Sequence, residues 1–486
     1  MHSENKKDSI SLAKAGAIWT FLGYGGSQLI RLISNLLLAW LLFPGAFGLM
    51  ALINVLMQGL QMFSDIGLGP SIIRNPRGED SSFLNTAWTI QIIRGFLLWL
   101  VACLISVPFA DFYSSTDPLS GSLVTLLPVA ALVAVISGFN STGVFLLNRQ
   151  MNLKLVTALE IIPQAVSALV MVIWAVLSPS VWALVVGNLA GSLTKLGLSH
   201  LLNPGPPNRL GLYRDSFSDL FHFGKWIFLS TLVTFLASNL DRLMLGKSLS
   251  LGELGVYSIA LTFARMGIHI ADRLSSTVIF PLLSRLQSNP QRVVLACLRS
   301  RNPILWISGV GCVSFSAFAP LFFGQLYDSR YAGAGFIAQW LALYVWSHIL
   351  NISMDRIVLA LGNSKQLFTA NLIKTATLPL SLIGFKYFGI PGFIALMSLS
   401  NLTAHIYLVK CLPFEQGKVL VQGLWFTLGM LIYALPLLIY FREIDLIADP
   451  LRYLLYLVAG LTPLAAIGFL QVLRSLQKRK PESDSE

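Results

Sequence analysis

GKWIFLSTLVTFLASNLDRLMLGKSLSLGELG, residues 224–255, is a membrane-length apolar run with a lysine at its start and an Asp-Arg dipeptide near its end. Charge placed in hydrocarbon costs about 2.5–3.5 kcal/mol per residue on insertion scales, so such residues are kept for a purpose. The run is also echoed earlier in the chain. Shifted back by 207 positions without a gap, Trp226, Phe228 and Leu229 fall on Trp19, Phe21 and Leu22, while Gly252 and Gly255 fall on Gly45 and Gly48. Nine positions of 19–48 are identical to their counterparts in 226–255, and the ungapped Trp-x-Phe-Leu and Gly-x-x-Gly landmarks make the pair read as an internal duplication.

Composition sets the solvent in which this duplication operates. Of 486 residues, 55% are hydrophobic and 12% charged, with a mean hydropathy of +0.71. That is too apolar for a soluble globule and reads as an all-α polytopic membrane protein. The net charge of +12 would suit a nucleic acid if the basic residues formed one domain, but they are spread over loops and spans, so no nucleic-acid partner is expected. Cys103, Cys297, Cys312 and Cys411 show no CxxC spacing, which supports neither a disulfide framework nor a zinc site. The opening residues precede an apolar run of about thirty residues, too long for a signal-peptide core, so an uncleaved first span is expected.

With about twenty apolar residues per crossing, spans are expected at 14–43, 46–66, 83–110, 121–148, 156–178, 181–202, 223–247, 254–281, 303–325, 335–360, 367–386, 391–409, 420–441 and 453–473. With the N-terminus in the cytoplasm, the inner segments hold 19 Lys and Arg and the outer loops 5, so both termini are expected to be cytoplasmic. The 207-residue shift carries the first span onto the seventh in the same orientation, which implies two six-helix lobes related by a pseudo-twofold axis along the membrane normal. The expected organisation is a lobe at 1–202, a cytoplasmic linker at 203–222, a second lobe at 223–409, two further helices within 410–474 and a tail at 475–486. Segment 284–302 reads as a basic amphipathic helix at the inner membrane surface.

Ten cations remain inside the spans, Lys14, Arg31, Arg94, Lys195, Lys225, Arg242, Arg265, Arg273, Arg356 and Lys374, against five acids, Asp65, Glu160, Asp241, Asp272 and Asp355. If each acid neutralises one cation, the remainder left in hydrocarbon would cost on the order of 12–17 kcal/mol, so they must face water or an anion. Lys14, Lys225, Arg242 and Arg356 lie near span ends and are expected to snorkel into the headgroups. Arg31, Arg94, Arg265 and Lys374 lie deep, with Lys195 and Arg273 intermediate, and these six are the candidate lining of a cationic cavity. Asp65, Glu160, Asp272 and Asp355 are candidates for ion coupling.

Helical spacing supports a cavity. Gln28, Arg31 and Asn35 share one face, Asn54, Gln58, Gln61 and Asp65 another, and Tyr344, His348, Asn351 and Asp355 a third. The competing reading is that such stripes glue helices together by hydrogen bonds. Asp-Arg dipeptides occur at 241–242, 272–273 and 355–356, and because sequence neighbours point apart on a helix, their partners are expected on other helices. No Walker loop, dinucleotide fingerprint, HExxH or GxSxG appears, so no enzyme, cofactor or metal is expected.

FSDIGLGPSIIR, 63–74, followed by FLNTAWTIQIIRG, 83–95, resembles the helix 2 to helix 3 region of bacterial polysaccharide flippases, and NLDRLMLG, 239–246, and FPLLSRLQ, 280–287, are similar to helices 7 and 8 of that family. The family belongs to the multidrug/oligosaccharidyl-lipid/polysaccharide exporter superfamily. The resemblance implies a V-shaped fold of 14 helices like that of the multidrug exporters, two pseudo-symmetric six-helix lobes plus two C-terminal helices. It also implies a function: moving a polyprenyl-diphosphate-linked oligosaccharide across the bacterial cytoplasmic membrane by alternating access, for exopolysaccharide or O-antigen synthesis. Membrane lipids, a polysaccharide polymerase and glycosyltransferases are the implied partners, and a monomer the implied state. By position the resemblance carries over only to Arg31 and Arg94.

Three alternatives stay open on the residues. A cation-coupled multidrug exporter should show net acidic charge in its spans, the opposite of the balance found. A polysaccharide polymerase or ligase needs an outward active site, for which the short outer loops leave little room. A twelve-helix symporter would require the last two spans to be miscounted, and its usual Gly-Asp-Arg motif is missing from 67–82.

Overall fold

The computed structural model describes residues 2–64, 68–213, 231–276, 283, 290–413 and 415–440, and every regular element among them is a helix. The chain divides into two compact units, Met1–Phe235 with Leu245–Gly255, and Leu236–Met244 with Val256–Glu486. Among the described residues, seven segments are long and apolar enough to cross a membrane. Two of these, Gln291–Leu326 and Ser364–Lys410, run to 36 and 47 residues, well beyond one crossing. The chain is a membrane protein.

The first unit contains α1 (His2–Leu41), α2 (Pro44–Phe63), α3 (Leu68–Arg74), α4 (Ser81–Ser114), α5 (Leu123–Gly138), α6 (Gly143–Arg149), α7 (Leu153–Leu177) and α8 (Trp182–Leu201). α4 packs on α5, α7 on α8, α1 on α7, and α5 on α8. Helix α4 exposes Phe96, Leu97, Leu100 and Leu104, the side of a helix that faces lipid. Helix α2 behaves in the opposite way. Pro44 sits in its first turn, where a missing N–H costs nothing. Ala46, Leu49, Leu52, Ile53 and Val55 are at most 1% exposed, whereas the expected polar stripe of Asn54, Gln58 and Gln61 is its open side.

The duplicated landmarks meet directly. A side chain on Gly255 would overlap the carbonyl oxygen of Pro44, and one on Gly48 would overlap that of Leu251. Pro44 and Leu251 are themselves matched by the 207-residue shift, as are Gly48 and Gly255, so the contact is reciprocal. Residues 245–255 are tied down further where Lys247 Nζ donates to Ser115 Oγ (2.7 Å) and to the Phe112 carbonyl, and where Leu251 N donates to Asp117 Oδ2 (2.9 Å).

The expected span 121–148 is not one helix. It stops at Gly138 and restarts at Gly143 because the Gln91 amide, reaching in from α4, donates to the carbonyls of Ser137, Gly138 and Asn140 at 3.0–3.1 Å. Ser141 Oγ then accepts from Gly143 N (3.1 Å), the first residue of the restarted helix.

The second unit contains the middle of α9 (231–246), then α10 (Leu251–Leu274) from Val256 onward, α11 (Pro290–Leu326), α12 (Gly333–Ala360), α13 (Ser364–Thr377), α14 (Ser381–Lys410) and α15 (Gln416–Tyr440). α11 and α14 pack on α12, α13 on α14, and α15 on α11. The expected boundary between spans 367–386 and 391–409 falls at a sharp kink inside α14, where Gly389 adopts φ 64° and ψ −150°, open to glycine alone, just before Pro391.

The expectation of a surface helix at 284–302 is corrected from Pro290 onward. These residues form the first turns of α11, and Val293 and Cys297 are buried against Met354, Ala404, Leu408 and Val419. Positions 293, 297, 301 and 304 lie on one helical stripe, so the apolar face of α11 continues through the segment instead of ending at 303.

Candidate functional site

Within the first unit, α4 carries Trp88, Gln91, Arg94 and Gly95 toward α5 and the turn beyond it. Trp88 Nε1 donates to Phe139 O (3.3 Å), and with the Gln91 bonds this fixes the turn at 139–142 against α4. The same rotation of α4 delivers Arg94 to a cavity of about 290 Å³ whose described lining includes Gln61, Gln91, Arg94, Ser137, Asn140, Ser141 and Lys195. Arg94 Nε donates to Ser64 Oγ (2.8 Å) and Nη2 to Gln61 O (2.7 Å), so the guanidinium also caps the negative end of α2. Two of the six expected cations, one from α4 and one from α8, thus face one cavity.

The other first-unit candidates fall elsewhere. Arg31 is exposed on α1, and among the described residues its guanidinium meets no partner and is not part of that lining. Glu160 is exposed on α7, one turn from Gln164, which is bonded to Ser27 of α1 (2.6 Å). Asp65 lies outside the described residues.

A second polar cluster sits inside the second unit. Lys374 on α13 is 5% exposed and its Nζ lies 3.4 Å from His348 Nδ1; the charges of Asp355 and Asp241 favour its ammonium form and that of Arg265 opposes it. Arg265 Nη2 donates to Ser238 O (2.5 Å), and Tyr257 Oη donates to Asp241 Oδ2 (2.9 Å). Arg242, expected to snorkel, is half-buried and lies near Asp241, Tyr257 and the like-charged Arg265 of this cluster. Arg356, also expected to snorkel, pairs across helices with Asp272, which joins two of the three Asp-Arg dipeptides as helix geometry requires. Arg273 is exposed in the last turn of α10.

The Asp272–Arg356 pair is partly open, with side-chain exposures of 47% and 23%. A double-mutant cycle on Asp272→Asn and Arg356→Gln, read by thermal unfolding in detergent, is therefore expected to give a coupling of about 1 kcal/mol, since solvent screens exposed pairs. Coupling indistinguishable from zero would mean that the pair contributes nothing to stability.

The family model for "Polysaccharide biosynthesis protein" matches residues 37–334, more than half of the chain. The chain belongs to the polysaccharide biosynthesis protein family. The lipopolysaccharide biosynthesis protein WzxC of Escherichia coli (strain K12) is 22% identical over 445 residues, covering 86% of this chain and 85% of that protein. The succinoglycan biosynthesis transport protein ExoT of Rhizobium meliloti (strain 1021) is 22% identical over 307 residues, 63% of this chain and 58% of that protein. Among solved structures, the lipid II flippase MurJ in an inward closed conformation superposes with a TM-score of 0.70 at 15% identity, covering 94% of this chain and 99% of MurJ, which shows the fold.

In this member of the polysaccharide biosynthesis protein family, one buried cation escaped the sequence reading. Arg301, within the expected surface segment 284–302, is instead 0% exposed, with Nε donating to Ser353 Oγ (2.8 Å), Nη1 to Gln422 Oε1 (3.3 Å) and Nη2 3.5 Å from His405 Nε2. It fastens α15 to α11, α12 and α14 without a carboxylate among these contacts. The signal was present in the sequence, since Arg301 interrupts the stripe of Val293, Cys297 and Ile304. Arg301→Ala, which strands Ser353 and Gln422 in a cavity, is expected to lower the thermal midpoint more than Arg301→Met, which refills the volume with apolar groups. Equal midpoints would contradict this account.

Proposed function

We propose that this chain is a flippase that carries a lipid-diphosphate-linked oligosaccharide across the bacterial cytoplasmic membrane for polysaccharide biosynthesis. The observation that carries this reading is that Arg94 and Lys195, from two different helices, both line one cavity of the first unit. Two like charges facing one cavity favour an anionic occupant between them. A diphosphate suits them, because guanidinium and ammonium groups form charge-assisted hydrogen bonds to phosphate oxygens and arginine presents a planar fork. The relatives act in the same area of chemistry: the name of ExoT specifies transport in succinoglycan biosynthesis, and MurJ flips lipid II.

On this reading the diphosphate and sugars occupy the polar interior while the polyprenyl tail stays in the bilayer. The chain has fourteen spans with both termini cytoplasmic, a lobe at 1–202, a linker at 203–222, a second lobe at 223–409, and two added helices within 410–474. The 207-residue duplication that carries Gly45 and Gly48 onto Gly252 and Gly255 supports the paired lobes. Arg265, Lys374 and Asp355 supply a polar interior in the second unit, Asp272 and Asp355 are the candidates for coupling to an ion, and a polymerase and glycosyltransferases are the partners on either side of the step. Cells carrying Arg94→Ala at normal protein level are expected to accumulate lipid-linked repeat units on the inner leaflet and to lose surface polysaccharide. Normal surface polysaccharide at normal protein level would remove Arg94 from the substrate path.

A further inference from the structure

Beyond α8, residues 203–213 carry no helix and run as an extended segment across the first unit. The segment opens with a side-chain turn in which Gly205 N donates to Asn203 Oδ1 (3.0 Å) and Asn203 Nδ2 donates to Pro206 O (3.1 Å). It then lies along α4. Alternate amides are taken by side chains on one end of that helix: Arg209 N donates to Asn85 Oδ1 (2.8 Å), Gly211 N to Thr89 Oγ1 (3.0 Å) and Tyr213 N to Thr86 Oγ1 (3.1 Å). Gly211 reaches Thr89 while Arg209 and Tyr213 return to the adjacent Asn85 and Thr86, so the segment is pinned to this end of α4 at three points by side-chain oxygens.

The same segment grips the cavity wall. Ser141 Oγ donates to Asn208 Oδ1 (2.7 Å), and Asn208 Nδ2 donates to Thr142 Oγ1 (2.6 Å). Ser141 lines the Arg94/Lys195 cavity, as do Asn140, Val144 and Phe145 from the same turn and α6. Thr86, Thr89, Ser141 and Thr142 are all buried beneath or beside the segment. By contrast, Leu210, Leu212 and Tyr213 are 72%, 57% and 50% exposed, so hydrogen bonds hold the segment and apolar burial of these side chains does not. A stretch with few buried apolar contacts sits at the low-stability end of a fold and opens first.

We propose that residues 203–213 are a releasable strap whose docking on Asn85, Thr86, Thr89 and the 141–142 turn holds the 140–149 wall of the Arg94/Lys195 cavity in place. Undocking frees that wall and enlarges the entry for a bulky anionic headgroup. The identity of what enters rests on the flippase reading; the mechanical link between strap and wall does not.

Hydrogen exchange on the full chain in lipid nanodiscs tests the link. In the unmodified protein the amides of Arg209, Gly211 and Tyr213 are expected to be protected. The Thr86→Val/Thr89→Val double variant, which keeps side-chain volume and removes the acceptors, is expected to speed exchange at Gly211 and Tyr213 by about tenfold, the effect of losing one hydrogen bond. It is also expected to speed exchange across 140–149. Asn208→Ala, which leaves α4 untouched, is expected to do the same at the wall and serves as the second variant. Free-peptide exchange rates at Arg209, Gly211 and Tyr213 in the unmodified protein would overturn the proposal, and so would faster strap exchange in both variants with the 140–149 rates unchanged. Undecaprenyl diphosphate, added separately to the unmodified protein, addresses the other reading: failure of this lipid to bind counts against the flippase and leaves the coupling between strap and wall as measured.

Discussion

Gly255→Leu is expected to remove most of the folded protein from the membrane. The Cβ it adds would overlap the backbone carbonyl of Pro44, with Gly48 N next nearest, and neither is a side chain that can swing away. Relief therefore requires the first turns of α2 and α10 to separate, which would pull Leu251, Leu254, Leu49 and Leu52 out of a region where each is at most 2% exposed. Overpacking of cores costs about 1–3 kcal/mol when side chains can adjust, and a backbone clash lies at or beyond the top of that range. A loss of about 3 kcal/mol lowers the folded-to-unfolded ratio on the order of 100-fold, enough to deplete a marginally stable protein. Gly48→Leu meets Leu251 O in the same way and is expected to match it. Gly252→Leu is the control. It is another landmark of the duplication, yet only Ser250 Oγ, at 3.9 Å, stands near its position. Membrane levels of the three variants measure the effect, and equal levels would contradict a close backbone contact at Gly255.

Removing the two cations of the first-unit cavity is expected to have the largest effect on export. A hydrogen bond to a charged group contributes about 1.5–3 kcal/mol, and each 1.4 kcal/mol is tenfold in affinity, so Arg94→Met is expected to weaken headgroup binding by about 10- to 100-fold. Arg94→Lys keeps the charge and loses the planar fork, and a smaller loss is expected. Lys195→Met removes a point charge and should fall between them. Because Arg94 also caps α2 through Gln61 O and Ser64 Oγ, part of any loss could come from a disturbed helix end. Ser64→Ala separates the two effects: it removes the capping contact while leaving the guanidinium in the cavity. Export unchanged in Ser64→Ala and lost in Arg94→Met places the effect on the headgroup; equal loss in both places it on the helix end.

Run length made much of the fold legible. Spans expected at 181–202 and 335–360 correspond to α8, Trp182–Leu201, and α12, Gly333–Ala360, because a long apolar run between polar segments has few other outcomes in a bilayer. The break after Gly138 was not legible, since its cause is the Gln91 side chain more than forty positions earlier in the chain. Arg301 was hidden by a boundary drawn at the last cation before an apolar run, although the buried stripe of α11 passes straight through it. Depth along a helix also proved a poor guide to direction. Arg31 and Arg94 both lie well inside their helices, yet Arg31 points outward and Arg94 points into the cavity, because the facing depends on how α1 packs on α7 and α4 on α5. Arg356 shows the reverse error, since nearness to a span end suggests snorkelling while Asp272 on a neighbouring helix pairs with it.

The most direct test of the account is a reconstitution. The purified chain is placed in proteoliposomes carrying a polyprenyl-diphosphate-linked oligosaccharide with a labelled sugar, and the fraction of sugar accessible to an external glycosidase is followed in time. The account predicts that accessibility grows beyond the half exposed at the start only when the chain is present, and that Arg94→Met/Lys195→Met returns the rate to that of protein-free liposomes. A rate independent of the chain, or one untouched by the loss of both cations, would contradict it.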